Sequence, residues 1–276
     1  MNLNRFTTSQ FLKNNLIYLK IIFSYVLIAA LALIVLYTLK INSIQINPLA
    51  DTKESMANIY YLVGGVFVST FLLLVIFKFF KRSTRTLDLV LTFIGFETLF
   101  SVFGLDYIGL ALTLLLCITK YYAQSNRLLK NFSMIVVTST FATMIGYSIS
   151  FLPLFIFAVL LAIYDYVAVF KTKHMVFLAK NIINTNYIFT IILNYSHKPL
   201  EIGSGDFAIP IMLFVSALFI NIPLAFIILG LSTIMLCLTI YLLLNKKEGE
   251  KVIPALPLQV ISTVITYLLY LLFTFL

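Results

Sequence analysis

Charged residues are scarce in this chain. Asp, Glu, Lys and Arg make up 11% of its 276 residues, whereas 62% are hydrophobic. Mean hydropathy is +1.06. A soluble domain of this length cannot bury so large an apolar fraction, so that class is excluded. There are two cysteines, Cys117 and Cys237, each inside an apolar run, which leaves neither a disulfide framework nor a zinc site. The two histidines, His174 and His197, lack ligand spacing and read as loop residues, so no metal is expected. No linker rich in Gly or Ser, no internal repeat and no second soluble domain is visible.

What the chain does contain is a succession of apolar runs, several of about 18 residues or more, as polytopic helical membrane proteins have. The runs are continuous rather than alternating, which argues against a β-barrel. The net charge of +9 could suggest nucleic acid. However, the basic residues lie in short clusters between apolar runs, where membrane topology explains them better, and no nucleic-acid partner is expected. Ile21–Leu39 is too long for a signal-peptide core, and no polar cleavage region follows its Ala-Leu-Ala, so it reads as the first membrane helix.

Nine segments follow, at about 16–39, 57–77, 87–104, 107–122, 132–149, 151–170, 206–219, 222–244 and 254–275. The short fourth and seventh suggest a thinned or water-accessible region, or a helix buried in protein. With the N-terminus in the cytoplasm, 17 of the 19 basic residues fall on the inside and only Lys40 and Lys53 outside. The positive-inside rule thus supports an all-α membrane protein of nine transmembrane helices, N-terminus cytoplasmic and C-terminus outside. It would be an integral, multi-pass protein of the cell membrane. Residues 1–150 form an N-terminal five-helix region and 151–276 a C-terminal region, within one integrated domain. "YIFTIILNY", Tyr187–Tyr195, is too short to span and is rich in β-formers. It reads as a short strand, or a re-entrant or interfacial piece, in the cytoplasmic loop.

Three acids fall within or at the edge of apolar segments: Glu97, Asp165 and Asp206. A charge in the bilayer core costs about 2.5–3.5 kcal/mol or more, so such residues are paired or functional. Asp88 and Asp106 lie near span ends, where solvent reaches them, and Glu97 could be a proton relay but reads better as a structural hydrogen-bonding group. Asp165, in "IYDYVAVFK", lies six residues before Lys171, about 9 Å along a helix. Asp206 sits in "EIGSGDFAIP", where Ser204 or Asp206 could equally cap the seventh helix. The sixth span descends and the seventh ascends, so the two aspartates lie at one depth and can meet. Two carboxyls forced together in an apolar site cannot both ionise and share a proton. One then activates water, and the other protonates the peptide group under attack. This chemistry requires no cofactor. A helical substrate must also be unwound, and its freed backbone groups need partners, which an extended strand supplies. "YIFTIILNY" with "HKPLEI" is one candidate and "VIPALPL", Val252–Leu258, another. Its Pro254 and Pro257 favour extended geometry before each proline, although they equally suit the start of a helix.

Three motifs now stand in order: "YD" at Tyr164–Asp165, "GSGD" at Gly203–Asp206, and "PALP" at Pro254–Pro257. Together they resemble the presenilin and signal-peptide-peptidase family of intramembrane aspartyl proteases. The likeness covers mainly residues 151–276; the first half matches in number of spans. The resemblance implies that Asp165 and Asp206 are the catalytic pair and that Gly205 allows close packing beside the second aspartate. Tyr164, Gly203, Ser204, Pro254, Ala255, Leu256 and Pro257 would shape the site and seat the substrate. Ser204 departs from the leucine usual between the glycines, which bears on substrate preference. The loop 171–205 is too short for a large self-cleaved segment. The compact size and the Ile-, Asn- and Lys-rich composition resemble an archaeal or other microbial member. The implied substrates are single-span membrane proteins or signal-peptide-like segments in the lipid bilayer, with accessory subunits or a homo-oligomer left open. Two other readings remain: a prepilin or preflagellin peptidase, which shares a Gly-x-Gly-Asp motif, and an ion- or proton-coupled transporter using Glu97, Asp165 and Asp206.

Overall fold

The computed structural model describes residues 3–44, 46–50, 52–79, 83–123, 126–170, 190–195, 198–245 and 254–275. His174, His197, Tyr187–Phe189 and Val252–Ile253 lie outside them. So do Lys81, Arg82, Lys171, Lys173, Lys180, Lys246, Lys247 and Lys251 of the basic clusters.

Nine helices and one small sheet are described. They are α1 (Leu3–Ile41), α2 (Ala57–Phe79), α3 (Ser83–Val102), α4 (Asp106–Tyr122), α5 (Arg127–Ser148) and α6 (Phe151–Phe170), then β1 (Thr190–Tyr195) and β2 (Lys198–Gly203), and finally α7 (Gly205–Ala217), α8 (Ile222–Asn245) and α9 (Leu256–Phe275). Among the described residues, α1, α5, α6, α8 and α9 are long and apolar enough to cross a membrane. α7 is apolar but shorter. α3 carries Arg85, Asp88 and Glu97, and α4 carries Asp106 and Lys120, which lowers their apolar character.

α7 lies at the centre. Phe207 and every residue of Ile209–Ala217 are buried, and α1, α5, α6, α8 and α9 all pack against it. Its 13 residues extend about 20 Å. A helix this short is sustained because protein, not lipid, surrounds it. Close approach requires small residues. A Cβ added at Gly146 of α5 would stand 2.7 Å from the Met212 carbonyl oxygen and 2.9 Å from the Val215 Cβ of α7. Hydroxyls join the helices where apolar driving force is weak in lipid: Ser139 Oγ donates to the Ile28 carbonyl at 3.1 Å, and Ser216 Oγ to that of Ile149 at 3.0 Å.

α9 shows the polarity of the bundle. Gln259, Ser262, Thr263 and Thr266 are buried, while Ile261, Ile265, Leu268, Leu269 and Leu272 are exposed. That is the reverse of a water-soluble helix and suits a lipid-facing exterior.

One correction concerns Asp88. It is 4% exposed, not open to solvent. Its Oδ2 lies 2.9 Å from Lys120 Nζ, which also donates to Thr92 Oγ1 at 2.7 Å. The antiparallel α3–α4 hairpin brings the acid and the base to one depth, and pairing makes burial of both tolerable. Glu97 Oε2 is buried without a hydrogen-bond partner among the described residues.

Candidate active site

β2 delivers the chain directly to Asp206. Gly203 ends the strand, Ser204 follows, and Gly205 opens α7, so Asp206 stands in the helix's first turn. The Asp206 carboxylate accepts the backbone N–H of Gly203. Ser204 makes no side-chain cap; its carbonyl accepts the N–H groups of Phe207 and Ala208 at 3.2 and 2.8 Å. Pro210 lies inside α7. It has no N–H, so the Asp206 carbonyl four residues earlier loses its intrahelical donor. A Cβ at Gly203 would meet Asp206 Oδ2 at 3.6 Å, an ordinary contact, whereas at Gly205 no described atom comes within 4 Å. Close packing beside Gly205 is therefore not seen. Among the described residues nothing packs beside it, and the tight glycine behind α7 is Gly146.

Asp165 comes from the last turns of α6. Its carboxylate accepts the backbone N–H of Leu256, the first residue of α9. Free N–H groups at a helix start point outward and receive anions readily. Pro254, Ala255 and Leu256 are buried, and Pro257 occupies the second helical position, where its missing N–H removes no helical bond. Of the two geometries open to "VIPALPL", its described part adopts the helix start, preceded by the non-helical Pro254 and Ala255.

α6 and α7 are in contact, and Asp165 and Asp206 are near enough to act on each other electrostatically. The three sequence motifs thus converge: Asp165 receives Leu256, Asp206 receives Gly203, and the two acids lie within electrostatic reach of each other. Tyr164 points elsewhere. Its ring meets Phe67 of α2 edge-on at 5.7 Å and helps line an apolar cavity of about 150 Å³ with Val63, Val66, Leu160 and Leu161.

The strand expected within Tyr187–Tyr195 is described from Thr190 as β1. It pairs antiparallel with β2, Ile191 opposite Ile202 and Leu193 opposite Leu200. That face packs into the core; Ile192 and Glu201 lie on the other. Ile192 sends its N–H and C=O away from β2, to the side-chain amide of Asn131 on α5. By strand alternation, Glu201 and Gly203 turn their backbone groups to the outer edge of β2. Gly203 spends its N–H there on Asp206. Pro199, with no N–H to expose, occupies the same edge.

Two neighbours had no sequence signal. Tyr25 of α1 is 1% exposed, its ring lies 5.3 Å from that of Phe207, and its hydroxyl has no hydrogen-bond partner among the described residues. Asn131 is an isolated amide at the start of a helix. Among the described residues no group of three His, Cys, Asp or Glu side chains could hold a metal ion.

A multi-pass helical membrane protein with two neighbouring aspartates, each held by a backbone N–H, has the parts of an aspartyl hydrolase. Residues 21–276 match the family model described as signal-peptide peptidase, presenilin aspartyl protease. The chain belongs to that family of membrane-embedded aspartyl proteases, whose substrates are membrane proteins. No curated protein matches it. Two solved structures, both titled as a presenilin family intramembrane aspartate protease, share its fold. The one in space group P2 has a TM-score of 0.66 at 20% identity over 91% of this chain and 97% of that one. The one in C222 has 0.65 at 17%, over 91% and 99%. The family match leaves the prepilin-peptidase and transporter readings without an observation in their favour.

Proposed function

We propose that Asp165 and Asp206 are the catalytic pair of an intramembrane endopeptidase. One carboxylate takes a proton from water as it attacks the scissile carbonyl carbon. The other, protonated, gives its proton to the carbonyl oxygen. The resulting tetrahedral diol collapses when a proton reaches the amide nitrogen, the C–N bond breaks, and a carboxylic acid and an amine leave. The observation that carries this reading is the meeting of the two acids at the junction of α6, α7 and the start of α9.

The Glu201 edge of β2 is the natural place for an unwound substrate to pair, because the next backbone donor along it already engages Asp206. Pro254, Ala255, Leu256 and Pro257 hold the N–H that orients Asp165. Gly203, Ser204 and Gly205 border the space before Asp206, while Tyr164 packs against Phe67 of α2. The basic-residue bias supports nine spans with the N-terminus in the cytoplasm and the C-terminus outside. Single-span substrates with the N-terminus outside fit that orientation.

Purified protein in liposomes is expected to cleave a single-span substrate, and Asp165→Ala and Asp206→Ala are each expected to abolish cleavage. Mass spectrometry of the products locates the bonds. Retained activity in either variant defeats the assignment.

A further inference from the structure

We infer that Asn131 is a positioning residue for substrate: its side chain acts as a one-residue third strand that closes the β1 edge and directs an incoming peptide to β2. This inference rests on the proteolytic reading above.

Asn131 Nδ2 donates to the Ile192 carbonyl at 2.9 Å, and the Ile192 N–H donates to Asn131 Oδ1 at 2.9 Å. Exchange of both bonds with one residue is what a neighbouring antiparallel strand would provide. Only one orientation of the amide satisfies both groups, so the reciprocal pair itself fixes the assignment.

A two-stranded sheet has two open edges, and an extended peptide can add to either. Here they are unequal. The centre of β1's outer edge is filled by a side chain rooted in α5, which packs on both β1 and α7. The outer edge of β2 offers the N–H and C=O of Glu201, beside the Gly203 N–H that Asp206 already holds. A peptide on the β1 edge would lie a strand's width farther from the acids, about 5 Å. Asn131 therefore removes the unproductive edge. It also orders the hairpin before substrate arrives, which spares binding that ordering step.

The test compares wild type, Asn131→Leu and Asn131→Asp as full chains in detergent. The first readout is amide exchange of Thr190–Tyr195, measured without substrate and without turnover. Loss of both bonds in Asn131→Leu is expected to speed exchange about 30-fold, the equivalent of about 2 kcal/mol. Asn131→Asp, which keeps the acceptor, is expected to fall between. The second readout is cleavage. KM rises in Asn131→Leu, saturated kcat stays within about twofold, and products spread to bonds two residues away as the register loosens. Unchanged exchange in folded Asn131→Leu overturns the inference. A fall in kcat with KM and product pattern unchanged also overturns it, because that marks a merely structural role. If Asn131→Leu shows no cooperative melting, Asn131→Asp carries both comparisons against the same criteria. Retained cleavage in Asp165→Ala or Asp206→Ala would sink the catalytic assignment instead, and leave the exchange result standing.

Discussion

Gly146→Ala adds a single methyl group at the tightest point behind the catalytic helix. The new Cβ would stand 2.7 Å from the Met212 carbonyl oxygen and 2.9 Å from the Val215 Cβ. One obstacle is backbone and the other a β-branched side chain's root, so neither swings aside. α5 and α7 must part by about half an ångström, and overpacking of this kind costs about 1–3 kcal/mol. Replacing glycine within a helix returns about 0.5–1 kcal/mol. The clash wins, with net destabilisation of about 1–2 kcal/mol and melting lowered by a few degrees. Ser216 resists the shift at the far end of α7 through its bond to Ile149. The displacement therefore reaches Asp206, about 9 Å along the helix from Met212. A misplacement of 1 Å can reduce a reaction about 100-fold, so half of that predicts a loss of about tenfold in kcat. The measurements are thermal melting in detergent and cleavage of a single-span substrate. Gly230→Ala on α8 is the control, because no described atom lies within 4 Å of its added Cβ; it is expected to keep full activity and melt no lower. A Gly146→Ala protein that melts and cleaves like wild type refutes the account of α5–α7 packing.

Two further predictions concern charge. Lys120→Met leaves Asp88 buried without its cation and is expected to destabilise by about 3–5 kcal/mol, while Asp88→Asn combined with Lys120→Met recovers much of the loss in the same melting assay. Burial pushes the Glu201 carboxyl above the usual carboxylate range, and the nearby Lys130 ammonium offsets part of this. The folded hairpin then holds a proton that the unfolded chain has released, so hairpin stability falls as pH rises from the ordinary glutamate value through the raised one. The protection of β2 amides, taken against the intrinsic exchange rate at each pH, should fall over that window in wild type and stay constant in Glu201→Gln; constant wild-type protection counts against the burial argument.

The spans were legible because lipid and protein interior impose the same apolar demand. The sixth matches end to end at Phe151–Phe170, and others differ by a few residues. α1 begins at Leu3, well before its apolar run, because hydropathy reports environment and not where helical hydrogen bonding starts. The meeting of Asp165 and Asp206 followed from depth on consecutive antiparallel segments. The same argument applied to Asp88 and Lys120 would have found their pair. Asn131 was not legible, since one amide gives no period or spacing, and its role exists only once β1 lies against it. Gly146 escaped for a related reason: attention to the glycines beside the aspartate missed the one on the neighbouring helix that sets the clearance.

The two acids belong to different mechanical surroundings. Asp206 rides on a helix enclosed by five others. Asp165 rides on one whose Ile163, Tyr166 and Phe170 are exposed on the outer surface. Bilayer thickness and lateral pressure press on α6 directly and on α7 only through its neighbours. Bilayers of different thickness are therefore expected to move Asp165 more than Asp206, and cleavage rates in liposomes of graded acyl-chain length would show the membrane acting as a working component of the site rather than its container.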